Sequence, residues 1–173
     1  MESSALPTAT SAELMKKSSL KILPVRNGER PSTSVNGGHK QISDQASPAL
    51  WGELMYQVFS RPEIYQGKTH TQCADSFALF YVDKILTRYP NCSLADQRDQ
   101  LEPVHIHGVF DTSLHLILEL NHARQVCKQG WGEPNPHCTN EQEIMVYGPR
   151  DEFEFQIVLE LISDSLNYIY KLN

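Results

Sequence analysis

The stretch from Val104 to Leu116 (Val-His-Ile-His-Gly-Val-Phe-Asp-Thr-Ser-Leu-His-Leu) constrains this chain more than any other. Three of its 7 histidines, His105, His107 and His115, lie there between two apolar runs. His105 and His107 are two positions apart, so on a strand they share a face. Gly108 to Ser113 has turn chemistry, which predicts that the strand folds back and His115 returns on its neighbour. A three-residue loop would set His107 opposite His115, whereas a two-residue loop would turn His115 to the other face. The residues leave both registers open. Imidazoles at this density, with Asp111 among them, suit a metal site or proton transfer near neutral pH. The ordinary alternative is a set of polar strand residues facing water.

A length of 173 residues suits one domain with a sizeable core plus a tail. Residues 1–22 read as a flexible N-terminal tail, rich in Ser, Ala and Thr, and residues 23–173 as a single α+β domain. The net charge of −6 comes with no basic block, which argues against nucleic acid and anionic membrane surfaces as partners. No apolar run approaches the ~20 residues needed to span a bilayer. The N-terminus lacks the apolar centre of a signal peptide, so a soluble cytoplasmic protein is expected. Cys73, Cys92, Cys127 and Cys138 are scattered without a Cys-x-x-Cys pair, so neither a zinc ribbon nor a disulfide framework is expected. His137 beside Cys138 admits a nucleophilic pair, although such partners usually lie far apart in sequence.

Along the chain, Leu23-Pro24, Gly28 and Arg30-Pro31 predict an extended arm laid over the domain. Ser47-Pro48 starts a helix, with Ser as cap and Pro in the first turn. Leu50, Leu54 and Val58, flanked by Trp51, Met55 and Phe59, form its apolar stripe up to Arg61-Pro62, and Trp51 reads as core. Ser76 to Val82 is an aromatic strand covered on both faces, and Thr87 to Gln100 a surface loop. A strand from His115 to about Leu120 alternates leucines with His115, Ile117 and Glu119, which favours an antiparallel sheet with one face against helices. Asn121 to Gln129 is a short helix stopped by Gly130. The run Gly130 to Pro136 reads as irregular, with Trp131 either plugging the end of the sheet or touching a substrate. Ile144 to Tyr147 is a further strand. Pro149 and the acids after it open a last helix, which buries Val158, Leu161, Ile162, Leu166 and Ile169. Arg150 either holds an anionic substrate group or pairs with Glu154. The architecture expected is a mostly antiparallel sheet of about four strands, with one helix before it and two after it.

Taken together, His105-Ile106-His107, Asp111-Thr112-Ser113-Leu114-His115, Gly130-Trp131-Gly132-Glu133 and Tyr147-Gly148-Pro149-Arg150-Asp151-Glu152 resemble the luciferase-domain family in order and spacing. That family includes the fungal luciferases, which oxidise a hydroxylated pyrone with molecular oxygen. The resemblance extends to the arm from Leu23 and carries Glu102, His105, His107, Asp111, His115, Trp131, Tyr147 and Arg150 as site residues. It implies a reaction without metal or organic cofactor. The fungal luciferases begin with a membrane-anchoring helix that these residues do not show, so a soluble relative is expected, and Asn135 stands where they tend to have a histidine.

Three readings follow. In the first, a small cofactor-independent enzyme of secondary metabolism acts on a polyphenol, pyrone or polyketide-like compound. His105, His107 and His115 serve as acid and base, and Asp111 orients one imidazole. Glu102, Trp131, Tyr147 and Arg150 bind substrate, with Tyr147 or Arg150 steadying the oxyanion. Oxygenation, isomerisation and cyclisation all remain open, because the substrate supplies most of the reactivity. In the second, His105, His107 and His115 bind iron, copper or zinc, with Asp111 or Glu102 as carboxylate partner. In the third, a non-catalytic binding protein carries the histidines on a polar face, apart and exposed. The oligomeric state is left open. No P-loop, Gly-x-Gly-x-x-Gly or Ser nucleophile elbow is present.

Overall fold

The structure is a computed structural model that describes residues 23–69, 75–83 and 101–172. The predicted tail of residues 1–22, the loop from Thr87 to Gln100, Cys73 and Cys92 lie outside the described residues. The fold is α+β. A two-stranded ribbon, β1 (Thr33–Ser34) and β2 (Lys40–Gln41), precedes helix α1 (Pro48–Phe59). The main sheet comprises β3 (Ile64–Lys68), β4 (Phe77–Tyr81), β5 (Val104–Ile106), β6 (Leu114–Ile117), β7 (Gly132–Pro134) and β8 (Glu143–Val146). Helix α2 (Leu120–Lys128) lies between β6 and β7, and helix α3 (Glu152–Leu172) closes the domain. The six strands run antiparallel in the order β3-β4-β5-β6-β8-β7.

The expectation of about four strands is therefore corrected to six, with α2 inserted among the strands rather than after them. Both unforeseen strands are edges. β3 is largely exposed and polar, so it lacks the apolar signal of a buried strand. β7 falls within Gly130–Pro136, which was expected to be irregular. Pro134 is tolerated there because an edge strand need not donate on both sides. Gly132 is required by the close approach of the Met145 carbonyl, which leaves no room for a Cβ.

Alternation sorts the central strands. Val104, Ile106, Leu114, Leu116, Ile144 and Val146 join Leu54 and Val58 of α1 and Val158, Leu161, Ile162, Leu166 and Ile169 of α3 in the core. The caps follow the expected chemistry. The Ser47 hydroxyl accepts from Leu50 N–H with Pro48 in the first turn, and Gly130 ends α2 at φ +85°.

The opposite face of the sheet is not open to water. β5, β6 and β8 are buried throughout, in contrast to the single covered face that the alternation favoured. The cover includes the arm. Arg26 pairs with Glu154 at 2.9 Å and donates to the Gly148 carbonyl, with its guanidinium over the rings of Trp131 and Tyr147. Trp131 donates from Nε1 to the Pro24 carbonyl (2.7 Å), and Ala46 N–H donates to Thr112 Oγ1 (2.9 Å).

Arg26 is the pin that holds this arm. Arg26→Ala leaves Glu154 with Arg150 alone and is expected to cost about 3 kcal/mol. A lower midpoint in chemical denaturation, with faster proteolysis in the arm, would register the loss; an unchanged midpoint would refute it.

Candidate functional site

The site begins with the register of β5 and β6. His107 N–H donates to the Ser113 carbonyl (2.9 Å), and His105 stands directly opposite His115. The connection is thus five residues long, Gly108 to Thr112, which replaces both loop lengths considered from the sequence. Asp111 and Thr112 N–H both donate to the Gly108 carbonyl, and Thr112 adopts φ +61° to close the turn. Because five is an odd number, like three, His105, His107 and His115 still share one face.

On that face, cross-strand pairing produces one row: Gly67, Ala78, His105, His115, Met145 and Glu133. His105 stacks on both His115 and His107, and the His107 and His115 rings are tilted to each other. Ring centroids lie 5.0 Å apart for His105–His107 and His105–His115, and 5.2 Å apart for His107–His115. All three are almost fully buried, at 2–3% exposure. His105 Nε2 and His107 Nε2 are 3.1 Å apart.

Each imidazole has a carboxylate behind it. His107 Nδ1 lies 2.5 Å from Asp111 Oδ2 and 3.0 Å from Ser113 Oγ. Glu102 Oε2 is 3.6 Å from His105 Nδ1 and accepts from the Thr69 hydroxyl at 2.9 Å. Glu143 Oε1 is 3.8 Å from His115 Nδ1, and Asn135, whose amide donates to Glu143, comes within 3.3 Å of the same nitrogen. A fourth histidine, His39, sets its ring edge-on to His115 at 5.2 Å and donates to Glu133 at 2.6 Å. Glu133 also accepts from the Tyr147 hydroxyl (2.8 Å).

Burial lowers the pKa of His105, with Glu102 partly opposing it. His115 is pushed well below the usual range by burial and by the neighbouring imidazoles. At Asp111, burial works against ionisation, but hydrogen bonds from His107, Ser113 and Gln41 outweigh it and hold the carboxyl low. Burial, and then the Glu133 hydrogen bond, push the Tyr147 phenol upward.

A cleft of about 680 Å³ reaches this cluster at one point. Its walls include Trp51, Phe77 and Phe110, with Lys40, Asp75 and the His107–Asp111 pair. His105 and His115 sit behind that wall. The structure therefore brings His105, His107, His115, Asp111 and Glu102 together. It places the other three residues carried by the resemblance outside the lining of the cleft. Trp131 is buried against the arm, Tyr147 is committed to Glu133, and Arg150 pairs with Glu154 while donating to the Asn27 carbonyl. Trp51, read as core, instead stands half-buried on the cleft wall and donates to the His107 carbonyl at 3.0 Å. The Cys138 thiol donates to Asn140 Oδ1.

Four participants escaped sequence reasoning: His39, Glu133, Glu143 and Lys40. They come from segments distant from the histidine stretch, and only strand pairing and the folded arm bring them near it.

A buried imidazole cluster thus lies behind an aromatic cleft on an antiparallel sheet. Residues 100–165, which contain the cluster, match the luciferase domain. The luciferase of Armillaria gallica is 27% identical over 169 residues, covering 89% of this chain and 64% of that protein. That of Neonothopanus nambi is 28% identical over 171 residues, covering 89% and 63%. The chain is thus similar to the luciferase domain over residues 100–165, and it spans slightly less than two thirds of the length of these curated relatives. No solved structure matches it. Among the described residues, no helix is long and apolar enough to cross a membrane.

The two tryptophans differ enough to report on this arrangement separately. Acrylamide should quench Trp51 and spare Trp131, so the emission left in Trp51→Phe should resist quenching. Equal quenching of the wild type and Trp51→Phe would place Trp131 in reach of solvent and contradict the docked arm.

Proposed function

We propose that this protein is an oxidoreductase that takes a planar, electron-rich small molecule into the cleft and presents its enol or phenol to the histidine cluster. Polyphenols, pyrones and polyketide-like compounds have this chemistry. The single observation behind this reading is that His107 and Asp111 line a cleft whose walls also include Trp51, Phe77 and Phe110. Its volume of about 680 Å³ falls in the range of small-molecule sites. Aromatic walls favour a flat ring, and Lys40 adds a positive charge for its anion.

The acidic hydroxyl would lie at the His107–Asp111 edge and release its proton into that hydrogen bond. The resulting enolate or phenolate has an electron-rich carbon. That carbon gives an electron pair to molecular oxygen, forming one C–O bond, and the terminal peroxide oxygen takes up the proton. Substrate and oxygen thus combine into a hydroperoxide with no outside reductant. Isomerisation or cyclisation would consume the same anion without oxygen. The luciferases among the relatives favour the oxidative course. Asn135, where the resemblance leads one to expect a histidine, stands beside His115.

The test is a panel of hydroxylated pyrones and polyphenols, followed by absorbance and an oxygen electrode in air and under nitrogen. Turnover in air alone is expected. Turnover in both atmospheres would replace the oxygenase with an isomerase or cyclase, and binding without turnover would leave a ligand carrier. Asp111→Asn should lower kcat/KM by about 100-fold or more, because it removes the charge that orients His107.

A further inference from the structure

We propose that His105, His107 and His115 form a three-imidazole site for one first-row transition-metal dication, zinc or ferrous iron in chemical class, with Glu102, Asp111 and Glu143 as its outer carboxylates. One ring nitrogen from each histidine lies within 4.8 Å of the others, in the buried interior of the sheet. The metal-free expectation carried by the family resemblance runs the other way, and the reasons for departing from it are in the hydrogen bonds.

A neutral imidazole has one N–H and one lone pair. Asp111 accepts from His107 Nδ1, so the proton of His107 is on Nδ1 and its Nε2 is bare. That bare nitrogen faces His105 Nε2 at 3.1 Å. If His105 carries its proton on Nε2, it satisfies His107 but turns the lone pair of Nδ1 toward Glu102, 3.6 Å away. If it carries the proton on Nδ1, two bare Nε2 atoms oppose each other at 3.1 Å. With an ionised Glu102, either tautomer sets lone pair against lone pair, and the buried His105 Nδ1 lies beyond hydrogen-bond distance of it at 3.6 Å. Protonating both nitrogens would place a cation in a fully buried ring, which is costly.

A dication removes the conflict. Bound to Nε2 of His105 and His107 and a ring nitrogen of His115, it uses the converging lone pairs. It also lets the Nδ1–H groups of His105 and His107 point at Glu102 and Asp111. Metal-binding histidines are characteristically backed by carboxylates in this way. Glu102 and Glu143 are wholly buried, and Asp111 is held ionised, so a positive charge at the centre also offsets the acids around it. Nitrogen-only donors suit zinc, iron, cobalt or copper rather than calcium or magnesium, which prefer oxygen. Three protein ligands leave a position for water or a substrate oxygen. The site goes beyond the proposed reaction and does not depend on it. Were it loaded during that reaction, stabilising the substrate anion would pass from the imidazole edge to the metal.

The experiment uses the full chain, purified without a histidine tag. Elemental analysis should find about one metal per chain, or the chelator-stripped protein should take up one Co²⁺ with a visible ligand-field band that Zn²⁺ displaces. His105→Ala and His115→Ala should abolish both, with circular dichroism to check folding. Glu102→Gln keeps all three ligands and should weaken Co²⁺ affinity by about 10- to 100-fold. Stripped wild-type protein that binds neither ion, or histidine variants that remain folded and bind as before, would overturn the site. Oxygen uptake by metal-free protein would sustain the proposed reaction while the metal assignment fails. Stoichiometric metal without turnover would do the reverse.

Discussion

The arrangement of the site depends on the carboxylate of Asp111 and the turn it stabilises. One oxygen takes the Nδ1 proton of His107, and the other accepts from the Ser113 hydroxyl, Ser113 N–H and Gln41 N–H. Four donors on one side chain tie together the end of β5, the start of β6 and the folded arm. The turn fixes the register that sets His105 against His115. The same carboxylate fixes the orientation of the His107 ring, and through Gln41 it helps to close the lid of polypeptide over the imidazoles. Gln41 in turn accepts from Gly148 N–H, so the arm is bound at both ends of the cluster.

Burying four histidines and several acids inside a small domain opposes folding, because each polar group loses water. Two features offset it. One face of the sheet packs a mainly apolar core against α1 and α3, in which the buried Ser165 hydroxyl donates to the Pro103 carbonyl. The other face pairs its polar groups in series: Thr69 with Glu102, Asn135 with Glu143, and His39 and Tyr147 with Glu133. The sheet thus divides labour between a stabilising face and a chemical one. The row through His105 and His115 lies on the chemical side, where water is excluded and electrostatic interactions are strong.

Much of this was legible in the residues. The hairpin was visible because turn chemistry separates two apolar runs, and α1 and α3 because caps and periodic leucines and isoleucines mark them. The five buried positions expected of α3 are all buried. The arm was legible from its prolines, which cannot join a helix. β3 and β7 were not, because an edge strand owes its conformation to its neighbour's hydrogen bonds rather than to its own composition. The loop length was missed because Thr112 occupies the left-handed region without being glycine, so composition gave no sign of the extra residues. Trp51 was assigned to the core because it lies beside a leucine stripe. That stripe is broader than the surface it covers, and its margin overhangs the cleft.

The cluster comes from one stretch of the chain, whereas the cleft draws on that stretch and on others. His105, His107, Asp111 and His115 lie within residues 100–165, the segment that matches the luciferase domain. Lys40, Trp51, Asp75 and Phe77, which face His107 across the cleft, lie outside it. On the proposed function, the groups that would act on a substrate are held by the paired strands, whose geometry tolerates little change. Those that would select a substrate sit on the ribbon, on one helix face and at the start of β4. A domain built this way can keep its chemistry while changing what it accepts. Likeness in residues 100–165 therefore says more about how the site works than about which molecule enters it.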